Sequence, residues 1–466
     1  MSTLEDPTPG GRDGDLERAD ALAAELAGGG VQGVVLSWVD TAGVTRVKTV
    51  PLGALERAAA WGVGMSPVFD TFLADDSIVA TDVLGGPDGD LRLFPDLDEL
   101  VPLAAQPGWA WVPVDRLTQD GEVHPACSRS LLRHAVAAAA EQGLTVKASI
   151  EIEFALGLGD APFPDFAPAC HGPAYGMVRQ VEQSGFGAEL LSALAAQGVD
   201  VDQLHPEYAA GQYEVSVGAT DPVAAADRSV LVRQTILAVA ARHGLRVSFA
   251  PAVQAGGVGN GGHLHLSIWR DGVNLHSGGD ERLGMTGEAE GFLAGVLDQL
   301  PALAALLTPS PNSYLRMQPS HWAGVYVAWG HENREAAVRV VTGMTGQRDK
   351  AANLEVKCVD LAANPYLAFA GVLAAGLDGL ERELRAGPPV TGDPGVLSEA
   401  ERAEQGLVRL PESLPEALDA FEKSALLWEA LGPVLANAVV AVRRGEQARM
   451  EGQSADAVAE AYRWVY

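Results

Sequence analysis

The chain has 466 residues, too many for one ordinary core, so two domains, or one domain with a large appendage, are expected. Its 47% hydrophobic and 20% charged residues exclude a disordered or fibrous chain. The formal net charge of −29 argues against a nucleic-acid or anionic-membrane partner, and it requires any anionic substrate to be met by a local cluster of cations.

Residues 1–14 are acidic and rich in Pro and Gly; they read as a flexible tail and not as a signal peptide. After Asp15, DLERADALAAELA reads as a helix with an Asp cap. Two strands follow around the turn Asp40-Thr41-Ala42-Gly43, with Arg46 and Lys48 on a solvated face. From about Leu93 to Pro125 the chain is rich in Pro and Asp. This marks a boundary between a small N-terminal α+β domain, residues 15–125, and a larger domain, residues 126–466. In the larger domain SRSLLRHAVAAAAEQG reads as a helix with a Ser cap. DPVAAADRSVLVRQTILAVAARHG has Pro222 in its first turn, and NPYLAFAGVLAAGLDGLERELRAG has Asn364 as its cap. Residues 308–319 and 387–411 read as long loops. Cys127, Cys170 and Cys358 are odd in number and widely spaced, so neither a disulfide framework nor a zinc site is expected. The longest apolar runs are too short or too interrupted to span a bilayer, and the protein reads as soluble and cytoplasmic.

Four strands share a pattern. Successive strand side chains point to opposite faces. In SIEIEFA, Glu151 and Glu153 therefore oppose Ile150, Ile152 and Phe154. GQYEVSV sets Gln212, Glu214 and Ser216 against Tyr213, Val215 and Val217. GGHLHLSI sets His263, His265 and Ser267 against Leu264, Leu266 and Ile268, and NLEVKCV sets Glu355 and Lys357 against Leu354, Val356 and Cys358. One such strand is an ordinary solvent face. Four of them carry Glu151, Glu153, Glu214, Glu355, His263 and His265 with only Lys357 as a fixed cation. Gathered carboxylates repel one another, and a divalent metal removes that conflict. Oxygen donors with an occasional imidazole suit Mg²⁺ or Mn²⁺, and Glu207 can add a carboxylate from the loop before Glu214. In QAGGVGNGGHLHLS the glycines match a dinucleotide fingerprint by letter, but a strand follows them instead of a helix, so they read as close backbone approach to a ligand. The cations gather between Asn312 and Lys350, as Arg316, Arg334, Arg339 and Arg348, and arginine forks suit phosphate and carboxylate oxygens. Metals beside arginines make a site for phosphoryl transfer.

These residues resemble a known family. EIEF, HPEYAAGQYE, GNGGHLHLS, PSPNSYLRMQP, ENREAAVR and LEVKCVDLAANPYLAFAGVLAAGLDGL come in the order found in glutamine synthetases, from about Val31 to the C-terminus. The resemblance implies an α+β fold. A small N-terminal β-grasp domain precedes a catalytic domain whose curved antiparallel sheet forms a half-barrel with helices. It implies double-ring dodecamers with sites between neighbouring subunits. It also implies that ATP phosphorylates the γ-carboxylate of glutamate before an amine displaces the phosphate. With two or more Mg²⁺ or Mn²⁺ per site, one metal would be held by Glu153, Glu207 and Glu214, and another by Glu151, His263 and Glu355. Asn260, Gly261, His263 and Arg316 correspond to the glutamate-binding set, and His265, Ser267, Arg334 and Arg339 to the ATP set. Arg316, Arg334 and Lys357 correspond to the catalytic cations.

The departures from the family pattern point to the nucleophile. Ammonia-using members carry a glutamate six residues after the arginine of the YLRMQP-type motif; here that position is Trp322. An ammonium-binding aspartate of the N-terminal domain aligns with Ser66, with Asp70 close by. Lys357 and Asn353 stand where the family has arginines. An indole and a hydroxyl do not make a cage for hydrated ammonium, whereas an aromatic wall packs against alkyl carbon. The expectation is a γ-glutamyl-amide synthetase acting on ethanolamine or a similar monoamine, a polyamine being less suited because its extra charges would want extra acids. An ordinary ammonia-using glutamine synthetase and a non-catalytic relative are the alternatives. The loop 387–411 holds no tyrosine, so control by adenylylation there is not expected.

Overall fold

The computed structural model describes residues 12–466, so most of the expected tail lies outside the described residues. The first helix, Arg12–Gly28, begins ahead of Asp15, which therefore lies within it and not in front of it. A six-stranded sheet follows, in the order Thr45–Pro51, Gly33–Val39, Trp109–Leu117, Leu91–Pro95, Val63–Met65, with Val101–Pro102 also paired to Trp109–Leu117. Its first two strands form the expected hairpin, and Gly33–Val39 runs parallel to Trp109–Leu117. Leu26, Val34, Leu36, Leu55, Leu93 and Val112 form a core separate from that of the rest of the chain.

Beyond this sheet, the chain builds a further pair of sheets joined by one continuous run of residues. Thr145–Ile150 pairs with Leu264–Arg270, and Ile152–Leu158 pairs with Gln212–Val217 and Leu245–Ser248. SIEIEFA is thus two strands broken at Glu151. The chain passes there from a six-stranded sheet to a four-stranded antiparallel one, and together they form a curled half-barrel. The six-stranded sheet departs from pure antiparallel order at Trp329–His331 and Val338–Val341, which run parallel. The turn between those strands carries Arg334 and Glu335. The apolar faces read from the sequence all point into one core: Ile150, Ile152, Phe154, Tyr213, Val215, Leu264, Leu266, Leu354 and Val356 are buried.

Helices Gly287–Leu307 and Pro365–Glu381 pack against each other over small residues. A Cβ on Gly379 would meet Gly295 Cα at 2.4 Å, so glycine is what permits the approach. Asn364 caps Pro365–Glu381 by accepting from the Tyr366 and Leu367 N–H groups, and Asp221 caps Pro222–Arg242 by accepting from Val223. The expected Ser cap near residue 128 is corrected: Ser128 is the first helical residue, and Cys127 precedes it with no side-chain cap. The stretch 387–411 is not a bare loop either. It holds the helix Glu399–Glu404, nucleated by a capping box between Ser398 and Glu401, and the strand Val408–Arg409. Two helices, Gly287–Leu307 and Ala425–Met450, are long and apolar enough to cross a membrane by length and composition alone, against expectation. The most apolar stretch of the first is 78% buried, the composition of a core helix. The second bends at Gly432 and Pro433.

Candidate active site

Strand register gathers the ionisable groups. In the four-stranded sheet Glu214 lies directly opposite Glu153. In the six-stranded sheet Glu355 lies opposite His265 on one side and Arg339 on the other. Glu151, at the break between the sheets, donates its N–H to His263 O at 3.0 Å, which brings the two sets of donors together.

The result is a cavity of about 770 Å³. Of the residues expected from the sequence, Glu151, Glu153, Glu207, Glu214, His263, Arg316, Trp322, Arg334, Arg339 and Lys357 line it. Glu355 is 1% exposed beneath Lys357 and Arg339, which donate to it at 3.1 and 2.9 Å. His265 Nε2 lies 3.1 Å from Glu151, and its Nδ1 lies 2.9 Å from Asn353 Oδ1. Arg334 and Arg339, five apart in sequence, converge because one sits in a turn and the other in the strand Val338–Val341.

Four expected residues are placed differently. Asn260 is 1% exposed and turns inward, donating to Ala250 O at 3.0 Å and accepting from Gln212 at 2.9 Å. Gly261 gives its N–H to Glu153 at 2.8 Å, and a Cβ there would sit 2.5 Å from His263 Nε2, so these two residues shape the cavity from behind. Ser267 accepts from the Trp269 indole at 2.8 Å. Ser66 caps a short helical turn, accepting from Val68 N–H, and is not among the residues that line the cavity within the chain. Asp70 is removed from contention: it is 1% exposed and committed to Arg116 and His124. Those partners outweigh its burial and hold its carboxyl below the usual range.

Two donor groups can each hold a cation. The ligand atoms of Glu151, His265 and Glu355 lie within 4.8 Å of one another, as do those of His205, Glu207 and Glu214. The first group is balanced by neighbours. Burial would raise the Glu151 carboxyl, but His263 and His265 hold it well below the usual range. Glu355 is likewise brought down to about 2 against its burial by Lys357 and the two histidines. Burial opposes charging of His265, yet Glu151 and Glu355 raise it to about 9. The second group is unbalanced. Burial raises Glu207, and repulsion from Glu153 and Glu214 adds to it. His205 lies 3.4 Å from Glu207 and 3.5 Å from Glu214, with its buried Nδ1 lacking a hydrogen bond. Crowded carboxylates beside an orphaned imidazole nitrogen fit a divalent cation.

The structure adds residues that pattern reading passed over. The Tyr175 hydroxyl donates to Glu207, and its ring stacks on His205 at 5.2 Å. Tyr208 stands edge-on to both Tyr175 and Trp322, with centroids 5.8 and 5.2 Å apart. Arg179, 3% exposed, donates to the carbonyls of Glu207 and Ala209 at 2.6 Å and so fixes the loop that carries this wall.

A half-barrel that sets carboxylates, imidazoles and arginines around one cavity is the arrangement that metal-assisted phosphoryl transfer requires. Residues 125–462 match the family described as glutamine synthetase, catalytic domain. Over 462 residues, 99% of each chain, the protein is 67% identical to Gamma-glutamylpolyamine synthetase GlnA3 of Streptomyces coelicolor. The crystal structure of a novel glutamine synthase homolog superposes with a TM-score of 0.83 at 36% identity, over 94% of this chain and 99% of that one. A GmaS/ADP complex superposes at 0.80 and 31% identity, over 93% of this chain and 97% of that one. The chain belongs to the glutamine synthetase family, and it is an enzyme, an ATP-dependent glutamate–amine ligase.

Proposed function

We propose that the protein joins the γ-carboxylate of glutamate to a primary amine of a polyamine, through a γ-glutamyl phosphate. The observation that carries this reading is the 67% identity, end to end, with a γ-glutamylpolyamine synthetase. The amine wall supports it. Tyr175, Tyr208 and Trp322 line one side of the cavity. Aromatic faces attract ammonium groups and pack against methylene chains at once. The monoamine expectation rests on acids at two positions only; these rings supply cation-attracting faces that such a count omits. Trp322, in place of an acid, speaks against ammonia as the preferred nucleophile.

Bound Mg²⁺ or Mn²⁺ would neutralise phosphate oxygens at the donor groups Glu151, His263, His265, Glu355 and Glu153, His205, Glu207, Glu214. In this reading Arg339 and Arg334 would hold the transferring phosphoryl oxygens, and Arg316 the substrate carboxylate. Arg316 is 7% exposed and donates to Lys357 O at 3.1 Å, which fixes its fork toward His263. Lys357 holds Glu355 in its ionised form. ATP and glutamate are substrates of the cytoplasm, where we place the enzyme. We assign it a double-ring dodecamer in which Ser66 of one subunit approaches the Trp322 side of the next, since within one chain the two do not share the cavity. Phosphate release with glutamate, Mg-ATP and a panel of spermine, spermidine, putrescine, ethanolamine and ammonium tests the reading. The highest kcat/KM is expected for a polyamine; a maximum for ammonium would sink it.

A further inference from the structure

Trp322 stands on a strained backbone. Its φ is 55°, and that of Ser320 is 60°. Two residues with a Cβ in the left-handed region of one turn need outside support. The ends of the segment have it: Arg409 donates to Met317 O at 3.1 Å and to Val325 O at 3.4 Å. In the middle, the Trp322 N–H donates to Glu335 Oε1 at 2.9 Å. Glu335 is 9% exposed, and its own N–H donates to Asn333 Oδ1 at 3.0 Å. Asn333 is anchored in turn to Gly392 O at 2.9 Å. The adjacent Arg334 guanidinium lies 5.9 Å from the centroid of the Trp322 ring. Consecutive residues thus grip Trp322, Glu335 by its backbone and Arg334 by its indole, and the indole stands edge-on to Tyr208.

We infer that Glu335 is a positioning residue for amine recognition: by accepting from the Trp322 N–H it fixes the left-handed turn, and so sets the indole as the wall against which the amine's carbon chain packs. The inference deepens the polyamine reading and rests on it. Neither the motif spacing nor the family resemblance singles out Glu335. Its carboxylate sits in the turn between two parallel strands, and only the fold brings it to a residue thirteen positions earlier.

The test measures KM for spermidine, glutamate and ATP, together with melting temperature, in wild type, Glu335→Ala and Glu335→Gln. Glutamine keeps a carbonyl acceptor at the same reach, and alanine does not. Glu335→Ala is expected to raise the spermidine KM about fivefold, the scale of one lost hydrogen bond that does not depend on the acceptor's charge. The KM values for glutamate and ATP should stay within about twofold, and Glu335→Gln should return the spermidine KM close to wild type. An unchanged spermidine KM in Glu335→Ala overturns the inference. So does a parallel rise of all three KM values with a lowered melting temperature, which is what a merely structural residue would give. Equal impairment of the two variants overturns it as well, because charge and not the acceptor would then matter. Wild-type kinetics keep the two readings apart. No turnover of any polyamine sinks the pocket reading and this inference together, whereas polyamine turnover with unchanged KM in Glu335→Ala sinks this inference alone.

Discussion

Replacing Glu355 probes stability and chemistry together. Its carboxylate is 1% exposed and takes both Lys357, at 3.1 Å, and Arg339, at 2.9 Å. Arg339 keeps a second carboxylate, Glu332 at 2.6 Å, but no other carboxylate pairs with the Lys357 ammonium among the described residues, and Lys357 is itself 2% exposed. Removing one partner of a buried pair costs about 3–5 kcal/mol, because the other charge stays buried and uncompensated. Glu355→Ala should therefore lose about that much stability and lower phosphate release by orders of magnitude. Adding Lys357→Met removes the orphaned charge. The double variant should recover all but about 1–2 kcal/mol of the loss and none of the activity. Denaturant unfolding of the three proteins reads the first effect, and phosphate release with glutamate, Mg-ATP and spermidine reads the second. A Glu355→Ala protein as stable as wild type would refute the buried pair. Retained phosphate release in either variant would refute the donor set.

Three further outcomes are expected. Trp322→Glu with Ser66→Asp should raise kcat/KM for ammonium at least about tenfold by restoring acids to the amine site. Aspartate is as good a cap as Ser66, so the local turn should survive; no gain in an ammonium titration would break the link between these positions and the nucleophile. Asp70→Asn should lower stability by about 3 kcal/mol while leaving the amine KM unchanged, since Asp70 serves Arg116 and His124. A shifted KM at unchanged stability would return Asp70 to the site. His276 is buried with neither ring nitrogen hydrogen-bonded, and burial lowers it from the usual 6.5 to about 4. A depressed histidine contributes stability above its unfolded value and loses it as pH falls toward the folded one. Between pH 6.5 and 4 wild type should lose about 3 kcal/mol relative to His276→Phe. Parallel stability curves for the two proteins would contradict a neutral buried imidazole.

Much of the site was legible because strand side chains alternate. The apolar faces of SIEIEFA, GQYEVSV, GGHLHLSI and NLEVKCV all enter the core, and the opposite faces hold the donors. Register could not be read, so it was not visible that Glu355 is flanked by His265 and Arg339, or that Glu151 sits at a break between sheets. Tyr175 carries no sequence signal because it lies in irregular chain between Leu158 and Met177, where no periodicity marks it. His205 stands two residues before Glu207, but its meaning comes only from facing Glu214 across a strand pair. Asn260 shows the opposite case. Its polarity suggested a ligand contact, yet the glycine-rich turn rotates its amide toward Gln212 and Ala250. The helix Glu399–Glu404 lies in a stretch whose first half is rich in Gly and Pro, which masks it although Ser398 and Glu401 spell its capping box.

An internal competition tests the central claim most directly. The enzyme is given glutamate, Mg-ATP and equimolar spermidine and ammonium, and the two products are weighed against each other by mass spectrometry, so that their ratio reads the ratio of kcat/KM values. The polyamine reading predicts γ-glutamylspermidine in large excess. Glutamine as the main product would contradict it.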